Sequence, residues 1–397
     1  MPPPDREPPL RLEADAAEMV RRGHPWVWRR GADVAASGTV VRLEDGRGQQ
    51  VLGRAIYDAG SPIAARVWNT GAAAGALDEA LVAARLARAF GLRGAMFDAS
   101  TTAYRLLNGE GDRTPGWVID RYGEVAIVRT DGDGARVHLE RHLGVLESAL
   151  RAIGITSALL RVPTRGAARG NAPPERIEIF GPPPPAVVQV REHGVPFEVD
   201  LGAGQKTGAF LDQRDNRRRV GVLGAGKRVL NLFSYAGGFS LHAALAGATT
   251  TSVDIAAHAH ATAQASFKLA GIEPRGHAFV AADAFAFLED ARKKGKRWDL
   301  VVSDPPSFAP SEKNKARALG AYRQLHKACA AVLEEGGTFC AASCSSHVTA
   351  EDFAATLDDA ALGRSDLRLL EMHGNPADHP TLPAFPEGRY LKFFVLA

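Results

Sequence analysis

The sequence predicts an α/β chain, with a nucleotide-binding α/β layer in its C-terminal half and short β segments and an α+β stretch before it. Three observations carry this reading. At Val229–Ser240, V-L-N-L-F-S-Y-A-G-G-F-S, an apolar run passes into a small-residue loop and then into helix-like sequence, the order strand, tight loop, helix. Three more strand-like runs come after it, T-S-V-D-I, A-F-V-A-A-D and W-D-L-V-V-S-D-P-P-S-F. They bring Asp254, Asp283 and Asp304 to their carboxyl ends, the edge where such layers bind ligands.

In chain order, the first ten residues, M-P-P-P-D-R-E-P-P-L, are proline-rich and expected to fray. From Arg11 to Asn69 the segments G-T-V-V-R-L, Q-Q-V-L-G-R-A-I-Y and I-A-A-R-V-W are β-like, separated by E-D-G-R-G and D-A-G-S-P turns, as in a small β-barrel. Leu77–Phe90 has the periodicity of an amphipathic helix. Y-R-L-L-N-G-E-G-D-R-T-P-G-W-V-I-D-R-Y-G reads as short strands punctuated by Gly, Asp and Pro. Pro163–Pro174 and the G-P-P-P-P at 181–185 read as surface connections, the first of them disordered. V-P-F-E-V-D-L is a strand leading into Q-K-T-G-A-F-L-D-Q-R and the α/β layer.

Composition bounds the partners. With 397 residues, 45% apolar and 23% charged, the chain has material for two or three domains with real cores. A net charge of +3 is mild, so affinity for a polyanion has to come from clustering. Clusters stand at 21–30, 214–219, 292–297 and 313–317, the first interleaved with tryptophans, and together they favour nucleic acid over a set of solvated faces. Three cysteines, Cys329, Cys340 and Cys344, form neither a disulfide framework nor a paired zinc spacing, and no metal is expected. No signal peptide and no run of eighteen apolar residues is present, which makes the cytoplasm the expected compartment and excludes a membrane partner.

The ligand of the layer can be argued from the residues its first loop lacks. Ser234–Ser240 has neither G-x-G-x-x-G nor G-K-[ST], so it offers no pyrophosphate cradle. A ligand without phosphates fits better. S-adenosylmethionine is such a ligand, and a carboxylate at Asp254 suits its ribose hydroxyls.

H-P-W-V-W, A-R-V-W, the long Y-R-L-L-N-G-E-G-D-R-T-P-G-W stretch, E-H-G-V-P-F-E-V-D, K-T-G-A-F-L-D-Q-R-D-N-R, N-L-F-S-Y-A-G-G-F-S, D-P-P-S-F, S-C-S-S-H-V-T and H-P-T-L-P-A-F-P-E-G-R-Y-L-K together carry a resemblance. Nearly end to end, the chain resembles the bacterial 23S ribosomal RNA large-subunit cytosine-5 methyltransferases. One departure is R-V-P-T-R-G-A-A-R-G-N, where the family has a more charged loop. The resemblance implies a PUA-like RNA-binding β-barrel over 10–72, a middle α+β domain over 75–200, and a Rossmann-like class I, S-adenosylmethionine-dependent methyltransferase domain over 201–397. It implies 23S ribosomal RNA as partner, with a homodimer as a further option.

Carbon 5 of cytosine becomes nucleophilic only after a thiolate adds to carbon 6, so the chemistry needs one activated cysteine and a group on the base edge. Cys344, after the apolar strand G-G-T-F-C-A-A-S, is the candidate nucleophile; Cys340 and Cys329 read as core. Asp304 admits two readings: a grip on an exocyclic amine, as in amine-directed enzymes, or an acceptor for the cytosine amine. The position after its prolines is Ser307, so a second cysteine is absent there. Expected cofactor contacts are Phe233, Ser234, Tyr235, Gly237, Asp254, Asp283, Asp304 and Gln213; expected substrate contacts are Arg214, Pro305, Pro306, Ser307 and Phe308. Lys206-Thr207-Gly208 and Phe210 would cover the donor, though Phe210 reads equally as core, as do Trp26 and Trp28. The rivals are an RNA guanine-N7 methyltransferase of the same fold, which would carry an asparagine-containing segment in place of S-C-S, and a non-catalytic RNA-binding assembly factor.

Overall fold

β-branched and apolar runs bounded by turn residues build the strands, and helices cover them. The computed structural model describes residues 7–71, 75–162, 175–202, 207–309 and 311–397. The loop reading at 163–174 and Lys206 lie outside these residues. The chain divides into two compact units: residues 1–188, 201–209 and 377–388, and residues 189–200, 210–376 and 389–397.

In the first unit, β1 (Pro9–Leu12), α1 (Ala14–Arg21), β2 (Trp26–Trp28), β3 (Val40–Asp45), β4 (Val51–Tyr57) and β5 (Ile63–Thr70) form a five-stranded sheet of order β1-β3-β4-β5-β2. Val41, Leu43, Ala55, Tyr57, Ala65 and Val67 point into its core with Val20 of α1. The three predicted β segments are β3, β4 and β5. After it, α2 (Glu79–Met96) is capped by Asp78, whose carboxylate accepts from the Leu81 N–H at 2.9 Å. This helix runs six residues past the predicted end at Phe90.

β6 (Ala103–Asn108), β7 (Trp117–Tyr122), β8 (Val125–Thr130), α3 (Asp133–Glu140), α4 (Leu143–Ala152), β9 (Ser157–Val162) and β10 (Glu175–Phe180) make a second sheet, order β10-β9-β8-β7-β6. Its core holds Trp68, Leu86, Trp117, Leu146 and Leu150.

A hairpin, β11 (Val187–Glu192) and β12 (Val195–Asp200), turns at His193 and Gly194 with positive φ of 49° and 83°, the type I′ pattern that matches strand twist.

The second unit carries α5 (Arg214–Leu223), β13 (Arg228–Leu232), α6 (Gly238–Leu245), β14 (Thr249–Asp254), α7 (Ala257–Leu269), β15 (Ala278–Ala281), α8 (Ala284–Lys293), β16 (Trp298–Ser303), α9 (Lys315–Ala331), β17 (Leu333–Ser343), α10 (Ala350–Ala354), α11 (Asp359–Leu362), β18 (Leu369–His373) and β19 (Lys392–Leu396). The sheet order is β15-β14-β13-β16-β17-β19-β18, with β19 antiparallel to both neighbours. The order reverses between β13 and β16, which is where a doubly wound sheet opens a crevice at its carboxyl edge. Both faces are covered: Leu230, Leu232, Val301 and Phe339 pack on one side, Val229, Leu300, Val302 and Phe393 on the other. Asn231, buried in β13, donates to Ser240 at 3.0 Å, and Ser240 bonds Ser252 at 2.7 Å, tying α6 to β13 and β14. No helix among the described residues is long and apolar enough to cross a membrane.

Candidate active site

The loop after β13 holds two side-chain-bearing residues in a strained backbone conformation. Phe233 and Tyr235 hold φ of 56° and 46°, a left-handed conformation that costs a side-chain-bearing residue about 1–2 kcal/mol. Surrounding bonds hold it there: Ser234 N–H donates to the Val253 carbonyl at 3.0 Å and Tyr235 N–H to the Asp254 carboxylate at 2.8 Å. Gly237 comes next with φ of 73°, and a Cβ there would lie 2.9 Å from the Ala263 methyl, so only glycine lets the loop close onto α7.

Asp254 bridges two loops, its second oxygen accepting from the Ala256 N–H at 2.8 Å. Each oxygen keeps a lone pair for further donors, such as two vicinal hydroxyls. Ser234 Oγ is buried without a partner among the described residues, a polar atom left for a ligand. The Tyr235 ring meets the half-buried Phe210 edge-on at 5.3 Å, so Phe210 lies at the loop. Asp283 is exposed and caps α8, one oxygen accepting from the Ala286 N–H at 2.9 Å. A strained loop, a bridging carboxylate and an orphaned hydroxyl, with no lysine or phosphate cradle, fit the nucleoside and amino-acid ends of S-adenosylmethionine.

Gln213, expected at the cofactor, and Arg214, expected at the substrate, stand at the start of α5. Both are buried, at 3% and 2% exposure. Gln213 accepts from the Asn216 amide at 2.6 Å, and Arg214 lies 3.4 Å from the Asp215 carboxylate. Neither offers an exposed polar head.

The carboxyl ends of β16 and β17 bring the other expected residues together. Asp304 is half-buried; Pro305 is buried, Pro306 and Ser307 exposed. Ser307 Oγ bonds Ser345 Oγ at 3.0 Å, joining the Asp304 loop to the Cys344 loop. Phe308 packs on the Tyr322 ring at 4.9 Å. Cys344 is half-exposed, whereas Cys329 on α9 and Cys340 inside β17 are fully buried, and burial pushes both thiols up to about 12. Only Cys344 has both access and a polar setting.

Three residues of this setting escape sequence reading. Tyr322 of α9 bonds Ser343 Oγ at 2.9 Å and Ser345 Oγ at 3.1 Å, and burial raises its phenol, with the charges of Cys344 and Asp304 acting in the same direction. Ser345 itself is fully buried. Lys392, opposite Ser343 in the β17–β19 register, is 3% exposed; its ammonium donates to the Ser345 and Tyr390 carbonyls at 2.5 and 2.8 Å. No carboxylate pairs with it among the described residues. Burial lowers its pKa to about 8 while Cys344 pulls it upward, so thiol and amine feel one another. Tyr390 donates its hydroxyl to the buried Asp212 at 2.7 Å, linking R-Y-L-K to F-L-D-Q-R. The available signal was a lysine inside the apolar strand K-F-F-V-L.

Asp254→Ala is expected to weaken binding of S-adenosylhomocysteine by roughly 1–3 kcal/mol, the effect of leaving buried donors unpaired. Calorimetry measures it; unchanged affinity would remove Asp254 from the cofactor site.

A model of S-adenosylmethionine-dependent methyltransferases matches residues 170–392, and a PUA-like domain matches residues 10–70. The chain is 38% identical over 408 residues to the ribosomal RNA large subunit methyltransferase of Deinococcus radiodurans, covering 99% of this chain and 98% of the relative. It is 34% identical over 401 residues to ribosomal RNA large subunit methyltransferase I of Klebsiella pneumoniae, covering 98% of each. Among solved structures, a methyltransferase complexed with SAH (S-adenosylhomocysteine) matches with a TM-score of 0.86 at 25% identity, over 98% of this chain and 99% of that one. An S-adenosylmethionine-dependent methyltransferase from Streptococcus mutans gives 0.85 at 25% identity over the same shares. With a Rossmann-like layer, a PUA-like domain and relatives matching over nearly its whole length, the chain belongs to the S-adenosylmethionine-dependent ribosomal RNA large subunit methyltransferase family.

Proposed function

We propose that this protein methylates carbon 5 of a cytosine in 23S ribosomal RNA, in the cytoplasm, through a covalent adduct with Cys344. The observation that carries the reading is the joined pair of loops after β16 and β17. One of the two loops carries the half-exposed Cys344 and the other Asp304, in a setting that holds a buried ammonium.

In this reading the Cys344 thiolate forms a bond to carbon 6, and the ring electron pair moves to carbon 5. Asp304 accepts from the cytosine amine and fixes the base edge. Ser234, Tyr235 and Asp254 would hold S-adenosylmethionine, whose methyl group carbon 5 would take as the sulfur–methyl bond breaks, leaving S-adenosylhomocysteine. Carbon 5 then gives its proton to a base, the carbon 5–carbon 6 double bond re-forms, and the thiolate leaves. Pro305 and Pro306 restrict the loop that carries Asp304. The working division of the chain is an RNA-binding barrel at 10–72, a middle domain at 75–200 and the catalytic domain at 201–397.

Mapping 5-methylcytosine in 23S ribosomal RNA from cells lacking the protein tests the proposal. One cytosine is expected to lose its methyl group and to regain it when the purified protein and the methyl donor are added to that RNA. An unchanged 5-methylcytosine map with a lost 7-methylguanine would transfer the reading to the guanine-N7 rival.

A further inference from the structure

The arginine clusters that point to RNA in the sequence are largely paired with the chain's own carboxylates. Arg22 meets Glu18 at 2.8 Å, Arg30 meets Asp15 at 2.5 Å, and Arg29 pairs with Asp33. In the 214–219 cluster, Arg217 is bound to Glu192 at 2.6 Å and Arg219 to Glu371. Lys293 and Lys294 pair with Glu289 and Asp290 at 3.0 and 2.8 Å. A paired cation must give up or share its partner before it can grip a phosphate.

Two arginines of the first unit are arranged differently. Arg85 projects from α2, and Arg113 belongs to the N-G-E-G-D-R-T-P-G-W motif of the same unit. Neither forms an ion pair among the described residues. The Arg85 guanidinium donates to the carbonyls of Arg113 and Trp68 and lies 5.2 Å from the centre of the Trp68 ring. Carbonyls and a ring orient it without neutralising it. Burial and the like charge of Arg113 bring its pKa down to about 10, still protonated at neutral pH.

Arg113 is exposed and sits at φ 61°, a left-handed turn that presents its carbonyl to Arg85. Its fork stands beside the Gly23 turn, where a Cβ would be 3.8 Å from its Nη1. Both arginines line a cavity of about 230 Å³ with Gly23, His24, Trp68 and Asn69. Carboxylates near it in sequence or contact are engaged elsewhere: Glu110 by Arg66 at 2.9 Å and Trp26 at 2.7 Å, Asp112 by Arg93 at 2.7 Å, Glu387 by His24 at 3.3 Å. Two guanidiniums that repel each other thus face one cavity, and among the described residues no carboxylate lines it.

We propose that this cavity is a phosphate site that takes one phosphodiester group of the RNA substrate, with Arg113 reaching it from the rim and Arg85 fixed behind it. This rests on the proposed action on RNA and adds to it a defined grip outside the methyl-transfer site. Arg85, locked by two carbonyls, loses little freedom on binding, while Arg113 supplies the bidentate fork that suits a phosphate.

The test uses the full-length protein and a large-subunit ribosomal RNA fragment containing the methylated cytosine. Arg113→Gln is the first variant, because its exposed side chain leaves the fold intact, as an unchanged melting temperature would verify. RNA affinity is expected to fall about 5- to 10-fold, and the slope of log K against log salt to drop by about 0.7–0.9, the loss of one phosphate contact. KM for RNA should rise with kcat retained, and binding of S-adenosylhomocysteine should not change. Arg113→Lys should recover part of the affinity, and Arg85→Gln should repeat the loss.

Inorganic phosphate serves as the second probe. If it raises the melting temperature of the wild type but not of Arg113→Gln, while both bind RNA equally, the cavity is a free-phosphate site and the proposal is overturned. Equal RNA affinity and equal salt slope in the two proteins, with wild-type methylation intact, would also overturn it and leave the function reading standing. A wild-type protein that neither binds nor methylates the RNA would sink the function reading and this proposal with it.

Discussion

Cys344→Ser is expected to abolish methylation, lowering turnover by at least about 10³-fold, as removal of a covalent nucleophile does. The same substitution should abolish trapping by RNA carrying 5-fluorocytosine, where fluorine in place of the departing proton leaves the Cys344–carbon 6 bond uncleaved. Geometry makes the experiment selective. Cys329 and Cys340 are at 0% exposure with thiols held near 12 by burial, so at neutral pH they are protonated as well as inaccessible. Cys340→Ser puts a hydroxyl among Val395, Val302 and Phe393, which costs stability but leaves the adduct. Alkylation by iodoacetamide should therefore label Cys344 alone in the folded protein and inactivate it in step. A wild-type rate from Cys344→Ser would remove the covalent mechanism, whatever the fate of the cofactor site.

How far such a site is visible beforehand depends on how local its causes are. The ends of β13 and β16 were legible because a buried parallel strand is a short apolar run, and that of β14 because its β-branched residues end on Asp254; the loop at such an end faces the crevice. Tyr235 was recognisable as a loop residue, but the left-handed φ it shares with Phe233 was not, because the glycines that suggest such a conformation stand at Gly237 and Gly238. The helix predicted to end at Phe90 continues through Gly91 and Gly94 because Arg93, fully buried, donates two hydrogen bonds to the Asp112 carboxylate that propensity cannot anticipate. α3 and α4 went unread although Leu146 and Leu150 show the i, i+4 spacing, in a stretch that carried no motif.

The basic clusters are read only in part. Some of their partners are local, as Glu18 is to Arg22, but others are distant: Glu371 reaches Arg219 across 152 positions. Lys392 combines both limits. It stands in a short apolar run, but its bond depends on Ser345, 47 positions earlier, being delivered just past the end of the neighbouring β17.

Lys392→Met is expected to slow formation of the Cys344 adduct by about 10²- to 10³-fold at pH 7, the size of effect seen when one preorganised charge or donor is removed from a reacting anion. The cause is electrostatic. Below about pH 8 the Lys392 amine is an ammonium in a buried site, and its charge favours the thiolate form of Cys344. As pH rises through about 8 that charge is lost, so the wild-type rate should climb as the thiol ionises and fall again on the alkaline side. The two titrations are coupled, and the limbs belong to the pair.

In Lys392→Met the alkaline fall should vanish and the thiol should ionise at higher pH, so that much of the rate returns there. Stability separates this from a packing role. The folded protein holds the Lys392 pKa below its ordinary 10.5, which means the buried ammonium disfavours folding at pH 7 and that penalty fades as pH rises toward 10.5. Replacing it with methionine removes the penalty, about 3 kcal/mol for a pKa near 8 in place of 10.5, and takes the ammonium's two hydrogen bonds from the Ser345 and Tyr390 carbonyls, about 1–3 kcal/mol, so the two effects oppose one another. The melting temperature should therefore stay within a few degrees while activity falls steeply. The pH dependence of iodoacetamide reaction at Cys344 reads the effect directly, and identical profiles for the two proteins would show that Lys392 leaves the thiol untouched.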